Sequence, residues 1–271
     1  MDAHATVLPP KYLETEKTNT TDSVSNAEFL QTVFGANPSD ARPVVVSFNG
    51  DPARAPSKHW FGVSWQDISG TPNRLPASAN NYFSLAAFLP DEAGHFRRQK
   101  TRFHALYAVM LDDIGTKVAS ERLTLPPSWL LETSPGNHQA GYLLRVPLTN
   151  GTDADHLMDA IVAASLCDPG ANGPRTRLAR LPNAVNGKHS PPFQCRLIEW
   201  SPELRYSVDE LVDGLQLEMA SAGRPQRRNP RPRSPSLGSL RVVQPLRAAA
   251  WAMRARSFRA ARAMRNRRSR R

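Results

Sequence analysis

The sequence predicts an α+β fold built around a central, mostly antiparallel sheet that is flanked by helices. Apolar runs of strand length recur along the chain, amphipathic helical segments separate them, and a hairpin lies near the middle. The chain has 271 residues, of which 40% are hydrophobic. This composition is sufficient for the core of one large domain with appendages.

Six segments have the composition of strands. They are ARPVVVSFNG, NNYFSLAAFLP, FHALYAVMLDD, both arms of PSWLLETSPGNHQAGYLLRVPL, and FQCRLIEW. The third is almost continuously apolar, which is typical of a strand covered on both faces. Pro135 and Gly136 suit the central positions of a type II turn, because proline fixes φ and glycine accepts a positive φ. The charged segment PDEAGHFRRQKTR is predicted to be a loop or an exposed helix.

Three segments are predicted helices: NAEFLQTVFG, which ends at Gly35, then TDADHLMDAIVAAS and SVDELVDGLQLE. In the second helix Thr152 is the predicted N-cap. In the third, Ser207 and Glu210 form a predicted capping box. The buried face of the second helix is predicted to contain Leu157, Ile161 and Ser165.

The net charge of +11 is distributed unevenly along the chain. Residues 224–271 contain 16 arginines and neither lysine nor an acidic residue. Because the whole chain has 35 basic and 24 acidic residues, residues 1–223 retain 19 basic against 24 acidic residues, a net charge of −5. A nucleic-acid partner would therefore have to meet a local basic strip on the body rather than a uniformly basic face.

Composition divides the chain into three parts. Residues 1–25 are polar and are expected to form a flexible lead. Residues 26–220 contain the predicted helices and strands and form the predicted domain. Residues 221–271 are an Arg/Pro-rich basic tail, expected to be disordered or partly helical. Two interpretations of the tail stay open: a nucleic-acid-binding arm, or G+C-rich DNA translated in an unselected frame.

Cysteine usage and hydropathy exclude several classes of protein. Cys167 and Cys195 do not form a C-x-x-C pair, so we expect no structural zinc site and favour two buried free thiols over a disulfide. The N-terminus lacks the basic start and apolar run of a signal peptide. No apolar stretch approaches the roughly 20 residues that a membrane helix needs. The prediction is a soluble cytoplasmic protein without a membrane partner.

The segment YAVMLDDIGT places two carboxylates at the end of a predicted buried strand. Adjacent strand residues point to opposite faces, so Asp112 and Asp113 share one site only where the strand ends or bends. One interpretation is a pair of oxygen ligands for Mg²⁺ or Mn²⁺. The other is a solvated strand end that leads into a turn. A divalent cation would offset the repulsion between two desolvated charges, and without it we expect raised carboxylate pKa values.

A third carboxylate, Asp168, is the single acid between Ala160 and Ile198, and a cationic segment follows it. The cations are Arg175, Arg177, Arg180, Lys188 and His189. Acids that hold a metal, next to arginines that bind phosphate oxygens bidentately, form the arrangement that a nucleoside triphosphate requires. The alternative is a basic loop with an incidental aspartate.

The turn TSPGNHQ is the third candidate feature. It presents Ser134 and backbone amides, with Asn137 and His138 at the start of the returning strand. These groups either face a phosphate or a sugar, or they belong to an ordinary turn with an exposed histidine.

Taken together, these motifs resemble those of the RepB-like plasmid and phage primases, within the archaeo-eukaryotic primase superfamily. The resemblance covers roughly residues 44–217. Its most specific parts are TSPGNHQ and RLARLPNAVNGK, which is similar to the family's R-L-P-G-x-x-N-x-K. It implies an RRM-like primase catalytic core. It also implies divalent-metal-dependent synthesis of short primers on single-stranded DNA from nucleoside triphosphates, in the replication of plasmids, phages or mobile elements.

The resemblance also implies roles for individual residues. Asp112, Asp113 and Asp168 match the family's acidic triad and would hold Mg²⁺ or Mn²⁺, and His138 would join the catalytic set. The implied nucleotide-binding residues are Ser134, Asn137, Arg177, Arg180 and Lys188. A replicative helicase is an implied partner, because family members often continue into a helicase module, and no G-x-x-x-x-G-K-[ST] loop occurs in this sequence.

The sequence departs from the superfamily pattern in three places. The paired acids are adjacent instead of two apart, Asn137 and His138 match the small-x-His motif loosely, and Asn183 stands where glycine is usual. The segment FRRQKTR is the expected DNA contact, through Arg97, Arg98, Lys100 and Arg102, or else a solvated loop. Three other hypotheses stay open: an RRM-like nucleic-acid binder without catalysis, a metal-dependent nuclease that uses the same acids, and a truncated replication protein.

Overall fold

A computed structural model of the protein describes residues 24–38, 40–65, 75–168 and 173–219. The predicted lead, apart from Val24 and Ser25, and the predicted basic tail lie outside these ranges. The helices are α1 (Asn26–Phe34), α2 (Gly151–Ala163) and α3 (Val208–Gly214). The strands are β1 (Arg42–Phe48), β2 (Val63–Ser64), β3 (Asn80–Phe88), β4 (Phe103–Ile114), β5 (Trp129–Ser134), β6 (Asn137–Leu148), β7 (Leu178–Arg180), β8 (Val185–Asn186), β9 (Phe193–Gln194), β10 (Arg196–Trp200) and β11 (Arg205–Tyr206).

Nine strands form one sheet, with β4 at its centre. The order is β10-β5-β6-β4-β3-β1-β2, and every neighbouring pair in this path is antiparallel. The short β7 adds an antiparallel pairing to β3, whereas β11 runs parallel to β6. Strands β8 and β9 pair separately as a small hairpin. The predicted α+β class and the mostly antiparallel sheet are confirmed.

The core packs all three helices against the sheet. Next to α1, aromatic rings from distant parts of the chain meet. The ring centroid of Phe29 in α1 lies 5.5 Å from those of Phe83 and Trp129 and 4.8 Å from that of Trp200. All nine residues of β3 are buried, as are seven consecutive residues of β4 that begin at Ala105. Truncation of Phe29 to alanine would cost about 3–5 kcal/mol of folding free energy, the range for buried aromatic side chains.

The helix ends agree with the sequence in part. Helix α1 ends at Phe34 with Gly35 after it, and the capping box of α3 is present, so both predictions are confirmed. The predicted N-cap of α2 is wrong, because the side chain of Asn150 accepts the hydrogen bond and the Thr152 amide donates it. Ser165 is exposed and lies beyond the end of α2, so it does not belong to the buried face.

Two smaller predictions are confirmed. Gly136 has a φ of 71°, the conformation for which glycine was expected in the turn between β5 and β6. Cys167 and Cys195 are both buried free thiols. The segment predicted as a loop or exposed helix is mostly loop, with one short 3₁₀ turn at Lys100–Arg102. In the part of the chain that the structure describes, no helix has the length and hydropathy needed to span a bilayer.

Candidate active site

A β-bulge at the end of β4 explains how two adjacent acids reach one corner of the sheet. Leu111 pairs with Ala140 and Ile114 pairs with His138, so two residues of β4 stand opposite the single Gln139 of β6. Asp113 has a φ of 62°, a left-handed conformation that aspartate tolerates better than most residues. Such a bulge re-aims side chains and interrupts the strict alternation of a strand. The strand therefore bends at the pair and continues for one more residue.

Lys117 connects Asp113 to the distant Asp168. Its ammonium nitrogen lies 2.8 Å from Oδ2 of Asp113 and 2.8 Å from Oδ2 of Asp168. The loop that carries Lys117 is held by the Asp113 carbonyl, which accepts from the amides of Thr116, Lys117 and Val118. The hydrogen bonds to Asp113 and Asp168 raise the pKa of Lys117, so the lysine stays charged. Two of the three predicted acids therefore share one cation.

Asp112, the other acid of the pair, is set deeper than Asp113. Its Oδ2 lies 3.7 Å from a guanidinium nitrogen of Arg177, and the amide nitrogen of Gln139 lies 3.5 Å from both carboxylate oxygens. Burial raises the pKa of Asp112 above its ordinary value, although the positive charge of Arg177 opposes that rise.

Asp112, Asp113 and Asp168 are called the acidic corner below. Cys167, in the segment after α2, contacts the residues of this corner. The backbone amide of Asp112 lies 3.4 Å from its Sγ, and a guanidinium nitrogen of Arg177 lies 3.7 Å from the same atom. Burial raises the pKa of the Cys167 thiol, so it is a neutral packing group here. Since Asp168 is the next residue, these contacts fix the position at which the third acid leaves the core.

The turn between β5 and β6 borders the same corner. The Thr116 hydroxyl lies 2.5 Å from Oδ1 of Asn137 and 3.1 Å from the Asp113 carbonyl. Nδ1 of His138 lies 3.3 Å from the carbonyl oxygen of Ile114. Ser134 pairs with Asn137 and is half-buried. The turn is therefore joined to the loop that holds the acids, and the binding and catalytic roles of its residues stay predictions.

Arg177 and Arg180 point in different directions, because they lie three residues apart in an extended segment. Arg180 is only 5% exposed. Its guanidinium donates to the Val185 carbonyl at 2.8 Å and to Oδ1 of Asn186 at 2.9 Å, and it lies 4.6 Å from the ring centroid of Tyr82. These contacts occupy the group that was expected to clamp a triphosphate. Its predicted role in nucleotide binding stays a prediction.

Other residues of RLPNAVNGK also make hydrogen bonds inside the protein. Oδ1 of Asn80 accepts from the backbone amide of Gly187 at 3.0 Å, and the side-chain amide of Asn186 donates to the Thr133 carbonyl at 2.8 Å. A Cβ at Gly187 would lie 2.1 Å from the Gly50 carbonyl oxygen, so only glycine fits there. The motif thus buries a polar network under the corner. Lys188, at its end, has an exposed side chain.

The four cations of the basic segment FRRQKTR differ in exposure. Arg98 points inward and donates to the carbonyl oxygens of Trp60 and Thr176, and burial lowers its pKa. Arg97 pairs with Asp91 at 2.9 Å. Arg102 donates to the Pro90 carbonyl at 3.2 Å, and Lys100 is exposed. DNA contact by Arg97, Arg98, Lys100 and Arg102 stays a prediction.

Sequence reasoning missed three residues of this corner: Lys117, Gln139 and Cys167. Lys117 follows Asp113 by four residues, and Cys167 precedes Asp168 directly, so proximity in sequence was an available signal for both. Among the residues that the structure describes, no group of three or more His, Cys, Asp or Glu side chains is arranged to hold a metal ion. Asp113 and Asp168 share Lys117, and Asp112 lies beside Arg177.

No protein-family model and no curated protein matches the sequence. In structure the chain is similar to the AEP domain of the cyanophage S-2L primase-polymerase, with 14% identity, a TM-score of 0.46 and coverage of 70% of this chain and 96% of that one. It is also similar to primase RepB′, with 17% identity, a TM-score of 0.45 and coverage of 71% of this chain and 62% of that one. A structure of the RepB′ catalytic domain with initiator DNA gives 17% identity, a TM-score of 0.45 and coverage of 70% and 93%.

Proposed function

We propose that residues 26–220 form a primase-type nucleotidyltransferase domain, which makes short primers on single-stranded DNA from nucleoside triphosphates with Mg²⁺ or Mn²⁺. The observation that carries the proposal is the convergence of Asp113 and Asp168 on the ammonium group of Lys117, with Asp112 and Arg177 beside them. The motif order in the sequence supports the same reading. A cytoplasmic site of action and a replicative helicase partner belong to this proposal as well.

The donor set of the corner fits a hard divalent cation. Carboxylate oxygens are the ligands that Mg²⁺ and Mn²⁺ prefer, and Mg²⁺ is commonly held by one or two carboxylates together with water and substrate phosphates. Asp113 and Asp168 already direct one oxygen each at a positively charged atom. Because a metal needs the same oxygens as Lys117, the lysine has to release at least one of them when a metal binds.

Each side chain then has a defined task. A bound divalent cation supplies acidity for the primer 3′-hydroxyl and countercharge for the departing pyrophosphate. Asp113 and Asp168 hold it, with Asp112 as the third candidate ligand. Arg177 is kept in place by Asp112 and Cys167 and presents a planar group for phosphate oxygens. Holding the triphosphate in line with the attacking hydroxyl is the main contribution that a protein makes to phosphoryl transfer.

The test is nucleotide incorporation on single-stranded DNA with Mg²⁺ or Mn²⁺, using the full chain. Asp113→Asn is the informative variant, because asparagine removes the charge and still tolerates the left-handed φ of 62°. We expect this variant to lose primer synthesis while its thermal unfolding stays close to that of the wild type. Asp213→Asn, at an exposed position of α3, is the matched control and should keep full activity.

The same assay separates the alternatives. A ladder of extended products that requires metal and disappears in Asp113→Asn supports the proposal. Shortening of the labelled strand with the same dependence would instead identify a nuclease. Strand binding with neither product would identify a nucleic-acid binder without catalysis. Near-normal incorporation by Asp113→Asn would reject the assignment of the acids.

A further inference from the structure

A cavity of about 780 Å³ opens beside β1 and β2, away from the acidic corner. It combines aromatic, apolar and cationic side chains. The lining residues are Arg42, Trp60, Phe61, Gly62, Val63, Ser64, Gly94, His95, Phe96, Arg97, Arg98 and Gln99. Three of these are arginines, and no carboxylate lines the cavity within the described part of the chain. This sign of charge is opposite to that of residues 1–223 as a whole, which carry −5.

Phe61 is the unusual member of this lining. Its side chain is 72% exposed, and it is the single aromatic ring among the exposed large hydrophobic residues of the described chain. Val63, which also lines the cavity, is 54% exposed. Aromatic rings bury most of their surface in a folded protein, so an exposed ring at the edge of a cationic cavity marks a binding surface.

The backbone holds Phe61 firmly in this exposed position. The preceding residue, Trp60, packs against Phe48 and Tyr82 with ring centroids 4.9 Å and 5.2 Å apart. The following residue, Gly62, has a φ of 71° and lies so close to β1 that a Cβ would be 2.5 Å from the Val45 carbonyl oxygen. The ring is therefore presented by a fixed segment, which lowers the entropic cost of binding a partner to it.

The cavity is connected to the acidic corner through Arg98. One terminal nitrogen of its guanidinium donates to the Trp60 carbonyl at the cavity, and the other donates to the Thr176 carbonyl. The residue after Thr176 is Arg177, which lies 3.7 Å from Asp112. The Nε of Arg98 is buried without a hydrogen-bond partner. Arg98 thus joins the cavity lining to the backbone segment that carries Arg177.

We propose that this cavity binds single-stranded nucleic acid, with one base stacked on Phe61 and the backbone phosphates on Arg42 and on Arg97, which exchanges its ion pair with Asp91 for a phosphate. A cation–π contact positions the Arg42 side chain, because its guanidinium carbon lies 4.6 Å from the ring centroid of Phe96. Stacking platforms beside cationic side chains are the general means of holding single strands without sequence preference. The choice of partner rests on the proposed function, in which a template strand has to reach the acidic corner.

The first test is photo-cross-linking of the full chain to an oligothymidine that carries 5-iodouracil, without metal and without nucleotides. We expect an adduct on the peptide that contains Phe61 in the wild type and in Phe61→Trp, and none there in Phe61→Ala. Cross-linking locates the contact, so binding by the arginines of residues 224–271 does not obscure it. Adducts confined to other peptides, or an unchanged adduct in Phe61→Ala, would overturn the proposal.

The second test is the affinity for the same oligonucleotide, measured by fluorescence anisotropy. We expect Phe61→Ala to bind about tenfold more weakly, the size of losing one base–aromatic stack. Val146→Ala is the matched control, because Val146 is an equally exposed apolar residue at 74% and lies in β6, on the other side of β4 from β1. Equal affinities of the two variants would overturn the proposal. Binding is measured without metal and without nucleotides, so a failure of the catalytic proposal would leave this result intact.

Discussion

The ammonium group of Lys117 lies 2.8 Å from the carboxylate of Asp168, a residue 51 positions further along the chain. The same group lies 2.8 Å from Asp113. An ammonium group placed between two carboxylates offsets their mutual repulsion. The pair of contacts therefore describes a corner that attracts cations, and Lys117 is the cation it holds in this conformation.

Replacement of Lys117 by methionine should strengthen the binding of Mn²⁺. The lysine competes for two carboxylate oxygens, and an uncharged side chain of similar length ends that competition. We expect the affinity to rise about tenfold, as an order of magnitude for removing one nearby positive charge. The electron paramagnetic resonance signal of free Mn²⁺ measures this binding without any need for catalysis.

Lys100→Met is the control for the Lys117 experiment, because Lys100 is exposed and lies in a different loop. It removes the same charge from the protein and should leave Mn²⁺ affinity unchanged. If Lys117→Met bound Mn²⁺ more weakly than the wild type, the lysine would instead be needed to bring Asp113 and Asp168 together.

The main elements of this fold were predictable from local patterns, because each apolar run had the length and turn signals of a strand. The bulge in β4 was not, since its register depends on pairing with Gln139, 27 residues away. The inward direction of Arg180 was equally hidden, because Tyr82, the ring on which it lies, is far away in sequence. Asp112, Asp113 and Asp168 were predictable from the order of the motifs. The position of Lys117 between Asp113 and Asp168 was not, because it depends on the conformation of the loop after β4.

Arg177→Met should lower the catalytic efficiency of nucleotide incorporation, with a smaller loss of stability because it removes the positive charge beside the partly buried Asp112. Its guanidinium group lies 3.7 Å from Asp112 at the acidic corner, and in the proposed function it contacts the triphosphate oxygens. Removal of one preorganised donor to a transition state commonly costs about a hundredfold. Steady-state incorporation at varied nucleotide concentration measures the effect, and an unchanged kcat/KM would contradict it.

Arg180→Met should have the opposite profile and destabilise the fold. Its loss leaves the Val185 carbonyl and Oδ1 of Asn186 without their strongest donor inside the protein, and it removes the stack on Tyr82. At about 1–3 kcal/mol for each buried unpaired group, we expect the free energy of unfolding to fall by about 3 kcal/mol. Urea denaturation measures this, with Arg54→Met, at an exposed position, as the control.

A result that would contradict the Arg180 prediction is a variant as stable as Arg54→Met that no longer binds nucleotide. The guanidinium would then act on the triphosphate, as the sequence motif implied, and the buried contacts would be incidental. The contrast between Arg177 and Arg180 therefore separates two uses of arginine in one motif.

Glu132→Gln should destabilise the turn between β5 and β6 in a pH-dependent manner. Burial works to raise the pKa of Glu132, but the Gly136 amide at 3.0 Å and the guanidinium of Arg196 outweigh it and lower the pKa below its ordinary value. A carboxylate with a lowered pKa stabilises the fold above the pKa of the unfolded chain, and this stability is lost as the pH falls through the folded pKa. The variant should therefore cost about 1–2 kcal/mol near neutral pH, a value reduced because Arg196 is largely exposed, and almost nothing at about pH 3. Urea denaturation at both pH values measures the difference. The control Glu199→Gln, at an exposed position in β10, should show no such dependence. A cost for Glu132→Gln that is equal at both pH values would mean that packing, and not charge, explains the burial of Glu132.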